Sequence, residues 1–326
     1  MPAHDLIVLG ASAGGVSALK GLVAKLPPDL PAAIFIVLHL PAEPGISLAE
    51  LLATRAALPL SEATDELAIE PRHIYVAAPD RHLLLEPGRM RVLYGPRENR
   101  HRPAIDPLFR SAAWAYGPRT VGVILTGMLD DGVAGLWAIR SCGGVTVAQD
   151  PGEAAYPSMP ASALAAMDID HRVTLAELPP LLAKLADTPS LPAAPEPAPA
   201  LALENRFTLG DGSIREMDAL GQPSAFKCPS CHGTLWEIWD GALVRYRCHT
   251  GHAFSTSALE AEQSDSIRTA LASSLRAIEE KAELLRRMTD TMGDKLPAMK
   301  GQYTRRIGEL EAHAATLKRM LPRMVP

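Results

Sequence analysis

At 326 residues, with 47% hydrophobic and 21% charged side chains, the chain has the length of about two domains and enough apolar content for buried cores. Its formal charge of -5 excludes a global basic field that would draw it to nucleic acid or into an anionic membrane surface. Four cysteines, three of them between Cys228 and Cys248, are too few and too clustered for a secreted disulfide scaffold.

The opening Met1-Pro-Ala-His-Asp5 lacks a basic leader, so no secretory signal is expected. The most apolar stretch, residues 32–42, is interrupted by His39 and falls short of the ~18 residues of a membrane helix. A cytoplasmic protein with reduced thiols is expected.

In chain order, Asp5-Leu-Ile-Val-Leu-Gly10 is an apolar run closed by glycine, the pattern of a strand buried on both faces. Val16, Leu19, Leu22 and Val23 follow at helical spacing until Pro27-Pro28. Residues 33–38 predict a second buried strand, 48–57 a helix, 72–77 a strand, and 83–93 a hairpin turning at Pro87-Gly88. A helix over 107–115, a strand over 120–125, a helix over 132–141 and a strand over 145–148 come next. Short helices are predicted over 160–167 and 175–186. Buried strands alternating with helices predict an α/β fold: a doubly wound, mostly parallel sheet in three layers, over residues 1–188.

Five prolines between Pro189 and Pro199 mark residues 189–205 as a semi-stiff, extended linker. A small Cys/His zinc-ribbon-like domain is predicted over 206–256 and a helical hairpin over 257–326. In that hairpin Leu271, Ile278, Leu285 and Met292 recur every seven residues, widened by Leu275 and Ala282. After a break at 293–297, Tyr303, Ile307, Leu310, Ala314, Leu317 and Leu321 step by 4 and 3. This seam suits a hairpin packed on itself, or dimerisation or partner docking through the same stripe.

Gly10-Ala-Ser-Ala-Gly14 fits G-x-S-x-G between a buried strand and a helix. Small residues there permit a sharp turn that lifts the serine oxygen above the sheet edge, over free helix N–H groups. The same turn suits phosphate binding, although Ser12 stands where a dinucleotide fingerprint needs its second glycine. His39 follows the second buried strand, and Asp130-Asp131-Gly132 follows the strand at 120–125.

Each of these alone has a plain structural use, a packed imidazole or a helix cap. Three such groups at three parallel strand ends are the types needed to activate a hydroxyl, carry its proton and hold the imidazole. The order Ser, His, Asp differs from that of the α/β-hydrolases.

Ile7-Val-Leu-Gly-Ala-Ser-Ala-Gly-Gly15, Val37-Leu-His-Leu-Pro41, Leu125-Thr-Gly-Met-Leu-Asp-Asp-Gly132, Gly143-Gly-Val-Thr-Val-Ala-Gln-Asp150 and Met159-Pro160 resemble, over about residues 4–186, the catalytic domain of chemotaxis protein-glutamate methylesterases of the CheB type. The resemblance implies a serine hydrolase that releases methanol from glutamate methyl esters on chemoreceptor cytoplasmic helices. It implies Ser12 as nucleophile, His39 as base and Asp131, the Asp immediately before the glycine, as orienting acid. It also implies the backbone N–H groups of His39 and Met128 as oxyanion hole.

Two departures stand out. Ala13 occupies a position where many relatives carry threonine. The catalytic strand begins at residue 5, so the receiver domain that many relatives carry in front of it is not expected here.

Cys228-Pro-Ser-Cys231, Cys248 and His252 give C-x2-C-x16-C-x3-H, the spacing of one closed structural zinc site without catalytic metal. His249 competes for the fourth place and His232 more weakly; unliganded thiols are the plain alternative. Trp236, Trp239 and Tyr246 are expected to pack the intervening hairpin.

Among other candidates, Cys142 reads as a buried small hydrophobe, His82 as a local hydrogen-bonding group and Asp106 as a helix cap. His101 and Arg102 are candidates to line the cleft.

The expected partners are methylated chemoreceptor helices and other chemotaxis-type signalling proteins, with no nucleic acid and no membrane insertion. The competing reading is a weakly catalytic or non-catalytic regulatory module that recruits signalling partners through its C-terminal region. The linker is expected to hold that region away from the catalytic face, so that on the esterase reading residues 1–188 keep turnover of a small ester alone.

Overall fold

A computed structural model describes residues 3–43, 45–190, 199–292 and 296–321. It divides into two compact units, Met1–Leu259 and Glu260–Pro326.

Along the first unit run β1 (Leu6–Ala11), α1 (Gly15–Val23), β2 (Ala33–Leu38), α2 (Leu48–Ala53), β3 (Leu60–Glu62), β4 (Ile74–Val76), β5 (His82–Glu86), β6 (Arg89–Leu93), α3 (Ile105–Tyr116), β7 (Thr120–Ile124), α4 (Val133–Ser141), β8 (Val145–Gln149), α5 (Ser158–Ala166), β9 (His171–Val173) and α6 (Leu178–Asp187). Seven strands form one sheet in the order β3-β4-β2-β1-β7-β8-β9, and every pair is parallel.

Both faces are covered, so the two-residue alternation along each strand feeds two cores. Ile7 and Leu9 of β1 pack with Leu19 and Leu22 of α1, Leu52 of α2 and Leu182 of α6. Leu6 and Val8 point the other way, onto Leu108 and Phe109 of α3, Leu136 of α4 and Met159 of α5. Each fully buried side chain of this size is worth roughly 1.5–3 kcal/mol relative to exposure. The β5–β6 hairpin turns at Pro87-Gly88 as predicted and adds Leu83, Leu85 and Met90 to the second core.

Beyond the undescribed residues 191–198 come α7 (Pro199–Leu209), then β10 (Gln222–Lys227), β11 (Thr234–Asp240), β12 (Leu243–Cys248) and β13 (Ala253–Ser255). The last four form an antiparallel sheet in chain order.

Three expectations change here. Residues 199–205, predicted as linker, belong to α7, with Glu204 and Asn205 buried. Trp236 and Tyr246 are buried as expected, whereas Trp239 is half exposed on the opposite face of β11. The small sheet is not held away from the α/β layers; it packs within the same unit.

The reason is an ion cluster that composition conceals. Arg110 of α3 and Arg247 of β12 both reach Glu98, at 2.9 and 3.1 Å. Arg245 of β12 clasps Glu204 of α7 through two hydrogen bonds of 2.6 and 2.8 Å. Arg247 also reaches Glu204 at 3.2 Å, and Thr208 bonds Glu98 at 2.7 Å.

In the second unit, the rest of α8 (Thr256–Met292) and α9 (Pro297–Met320) make a helical hairpin. Ala282, Leu310 and Ala314 of the predicted seam are buried. Glu279 meets Lys318 at 2.6 Å and Arg286 meets Glu311, pairings that descend one helix as they climb the other. The stripe therefore serves the hairpin itself; the side chain of Met292 lies outside the described residues.

Candidate active site

Ser12, His39 and Asp131 lie just beyond the carboxyl ends of the adjacent strands β1, β2 and β7, where the winding of the sheet reverses. Gly14 makes the turn after Ser12 at φ 76°, a conformation that favours glycine, so the chain enters α1 at once. Gly10 has no room for a side chain, because a Cβ there would stand 2.4 Å from Ile105 Cγ2. These small residues let β1 and α3 approach and leave the serine hydroxyl facing an open groove lined by Ser12, Gly14, Val16, Ser17, Lys20 and Leu40.

His39 Nδ1 lies 3.1 Å from Ser12 Oγ, and His39 Nε2 lies 2.7 Å from Asp131 Oδ2. With Nε2–H donated to the carboxylate, Nδ1 presents its lone pair to the hydroxyl. The imidazole and carboxylate are 5% and 3% exposed, so their hydrogen bond is shielded from water.

Asp131 also accepts the Ile105 N–H at 2.7 Å, the Asn99 Nδ2–H at 2.7 Å and the Asp106 N–H at 3.3 Å. The first and last belong to the opening turn of α3, so Asp131 sits at that helix's positive end. Burial alone would raise its pKa, but the His39 hydrogen bond and charge, then Ile105 and Asn99, override it and hold the carboxyl down at about 2.

Of the two neighbouring aspartates, only Asp131 faces the imidazole. Asp130 accepts the Ser255 hydroxyl at 2.5 Å.

Asp106 is not the cap of its own helix. It lies inside the first turn of α3, where Oδ1 accepts the Gly135 N–H of α4 at 2.7 Å and Oδ2 accepts Asn99 Nδ2–H at 2.8 Å. Burial, and then the Asp131 charge, push it up to about 7.

His101 stacks on His39, ring centres 3.6 Å apart and planes within 10°. Burial and the neighbouring imidazole lower its pKa to about 4, which leaves it neutral at pH 7. Arg102 turns elsewhere: it binds Asp80 at 2.7 Å and lies over the Tyr94 ring. His82 bonds the Pro96 carbonyl at 2.8 Å, the local role expected of it. Cys142 is buried, as expected.

The two amides expected to form an oxyanion hole differ. The His39 N–H donates to the Ala11 carbonyl at 3.3 Å, a long bond that continues the β1–β2 ladder, so this amide is not free as expected. Among the described residues the Met128 N–H takes part in no hydrogen bond.

Sequence reasoning missed Asn99; it offered His101 as a cleft residue, which the structure places there, but not its stack on His39. Both lie in Glu98-Asn-Arg-His101, a loop without periodicity.

Cys228, Cys231, Cys248 and His252 also come together, their donor atoms all within 4.8 Å of one another. Cys231 Sγ lies 3.6 Å from Cys248 Sγ, and Cys248 Sγ 3.5 Å from His252 Nδ1. Zinc ligands at ~2.3 Å (sulfur) and ~2.1 Å (nitrogen) on a tetrahedron stand about 3.6–3.8 Å apart, so this donor set fits that ion. Gly251, at φ 106°, turns the chain between Cys248 and His252. His249 and His232 are exposed and stand outside the cluster.

The family model for CheB methylesterase matches residues 7–182, more than half of the chain. A protein-glutamate methylesterase/protein-glutamine glutaminase 1 of Xanthomonas euvesicatoria pv. vesicatoria is 43% identical over 162 residues, covering 48% of this chain and 45% of the relative. One from Geobacter metallireducens is 40% identical over 180 residues, covering 54% and 49%. The chain thus spans about half the length of the curated relatives it matches. The crystal structure of the Thermotoga maritima CheB methylesterase catalytic domain aligns with a TM-score of 0.54 at 31% identity, covering 57% of this chain and 99% of that one.

Proposed function

The chain belongs to the CheB methylesterase family, and on that premise we propose that it is a serine esterase cleaving methyl esters of glutamate side chains on chemoreceptor cytoplasmic helices. The observation that carries this reading is the unbroken line from Ser12 Oγ through His39 to Asp131, at 3.1 and 2.7 Å.

Ser12 Oγ attacks the ester carbonyl carbon while His39 Nδ1 takes its proton. Asp131 holds the imidazolium through Nε2–H, and the Met128 N–H receives the developing oxyanion. The tetrahedral adduct then collapses: Nδ1–H protonates the leaving methoxide as methanol, and an acyl-serine remains. Water gives a proton to Nδ1 and attacks this ester; Nδ1–H then returns that proton to Ser12 Oγ as the acyl–oxygen bond breaks and the glutamate leaves. An amide leaving as ammonia follows the same path, in keeping with the glutaminase half of the relatives' name. Lys20 places a cation on the groove wall.

Cys228, Cys231, Cys248 and His252 would hold one zinc ion whose four protein ligands leave no position for substrate. It would supply folding energy to the small sheet and take no part in the ester chemistry. The protein would act in the cytoplasm, where receptor helices and other chemotaxis-type signalling proteins are its partners. None of its described helices is long and apolar enough to cross a membrane.

The test is methanol release from methylated receptor, with hydrolysis of p-nitrophenyl acetate alongside. Ser12→Ala should lower both by roughly 10³-fold or more while the fold persists, since only oxyanion stabilisation and binding would remain. Undiminished turnover in that variant would overturn the mechanism. Absence of turnover in the parent protein would favour the reading of the chain as a recruiting module.

A further inference from the structure

The loop that carries Asn99 stands between the triad and the Cys/His sheet. Asn99 Nδ2–H donates to Asp131 Oδ1 at 2.7 Å and to Asp106 Oδ2 at 2.8 Å. Its own Oδ1 accepts the Ser255 backbone N–H at 2.7 Å, and its backbone N–H donates to the Ala253 carbonyl at 2.8 Å. Ala253 and Ser255 bound β13, which begins directly after His252. The Ala253 N–H returns to the Arg97 carbonyl at 3.4 Å, so the backbone of β13 clasps the loop from both sides of Glu98. On the same loop Glu98 is held by Arg247, and His101 lies against the catalytic imidazole.

Asn99 is buried and sits at φ 47°, a conformation that asparagine tolerates better than most residues. Its amide has a fixed sense. The oxygen faces a backbone donor on β13 and the nitrogen faces two carboxylates, so it cannot flip without losing its partners.

We propose that Asn99 is a positioning residue for the esterase triad and that the Cys/His sheet, through the backbone of Ala253 and Ser255, fixes it in place. The small sheet is then a structural part of the active site, and whatever loosens it loosens Asp131. The inference rests on the proposed serine-esterase reading only for its rate readout. The geometry is also read directly by the proton shared between His39 Nε2 and Asp131 Oδ2.

A hydrogen-bonded imidazole N–H of this kind gives a resolved far-downfield proton resonance in one-dimensional NMR of the full chain. Asn99→Ala removes the link at the loop. Ser255→Pro removes the backbone donor, at an edge strand whose N–H points away from β12, together with the hydroxyl that binds Asp130 and accepts the Ala258 N–H; Ser255→Ala removes that hydroxyl alone and is the control. Circular dichroism confirms that each variant is folded. In Asn99→Ala and Ser255→Pro, the downfield resonance should broaden or move upfield. The kcat for p-nitrophenyl acetate should fall about 10–100-fold, the usual range for a residue that orients a reacting group, with KM unchanged because neither residue meets substrate.

The double variant should lose no more than the larger single loss, since both break one chain of contacts. Should Ser255→Pro fail to fold, Arg247→Met replaces it, because that change releases β12 from Glu98 on the same loop and leaves Asn99 itself intact. An unchanged resonance and an unchanged kcat in folded Asn99→Ala overturn the proposal. Fully additive losses overturn the role of the sheet. If instead Ser12→Ala retains turnover while the resonance still responds to Asn99, the esterase reading fails and the positioning inference stands.

Discussion

Glu98→Gln is the sharpest probe of how the small sheet is held. Glu98 is 1% exposed and Arg247 is 0% exposed, and their contact joins a loop of the α/β layers to β12. Burial pushes the Glu98 carboxyl up, but the Arg110 and then the Arg247 charges more than offset this and hold it below its ordinary range. Glutamine keeps the shape and one acceptor oxygen, so the change isolates the charge.

Arg110, Arg245 and Arg247 would then share Glu204 and the partly exposed Asp240. Stranding a buried cation in this way costs on the order of 3–5 kcal/mol. At about 2–4 °C per kcal/mol for a unit of this size, the melting temperature should fall by on the order of 10 °C, followed by calorimetry or near-ultraviolet circular dichroism of the full chain. Adding Arg247→Met removes the stranded charge and should restore a good part of the loss, because an apolar replacement of a buried ion pair is often neutral. A Glu98→Gln protein melting within about 2 °C of the parent would refute the cluster as the clamp.

A fragment ending at residue 188 strips Glu204, Arg245 and Arg247 from the buried Arg110 and Glu98. It should lose solubility and small-ester turnover, contrary to the expectation from the proline-rich composition; a folded, active fragment would reverse that conclusion. Metal analysis of protein purified without chelator should find one zinc per chain, lost in Cys248→Ser, and zinc-free native protein would refute the site.

Two groups make stability depend on pH with opposite signs over about pH 4–7. Asp106, raised to about 7 in the fold, contributes stability present below its ordinary 3.8 and lost as pH rises through 7. His101, lowered to about 4, contributes stability present above 6.5 and lost as pH falls through 4. Urea titrations should therefore show Asp106→Asn gaining on the parent as pH rises through this window and His101→Phe gaining on it as pH falls. Parallel pH profiles for variant and parent would refute either assignment.

The parallel sheet was legible because its central strands are uninterrupted apolar runs, and such runs have few folded uses besides strands buried on both faces. The three-residue strands β3 and β9 carry no comparable run, and both lie at the sheet's edges. Ser12, His39 and Asp131 were legible for a related reason: each closes a strand or opens the following turn, so topology alone brings them to one edge.

The docking of the small sheet was not legible. Glu98 and Arg247 stand 149 residues apart, and in sequence a buried ion pair looks like any two surface charges. Helix α7 was masked by its Pro-Ala composition, since what fixes it is tertiary, the clasp of Glu204 by Arg245. Asn99 had no signal because its partners come from three separate elements.

What separates Asp131 from Asp130 is one step of backbone. Asp131 turns inward and collects His39 Nε2–H, the Ile105 and Asp106 amides and Asn99 Nδ2–H. With its lone pairs already engaged by donors, and with its pKa held at about 2, this carboxylate would not take up the proton that the proposed mechanism moves from Ser12 to His39. In that mechanism the proton would stay on the imidazole, where the leaving group could collect it. Neutral His101 stacked on that ring adds no charge to oppose the imidazolium. Asp130, turned outward, binds the hydroxyl of Ser255, whose backbone N–H holds Asn99. Asp131 thus binds the imidazole directly, while Asp130 holds the strand that anchors Asn99.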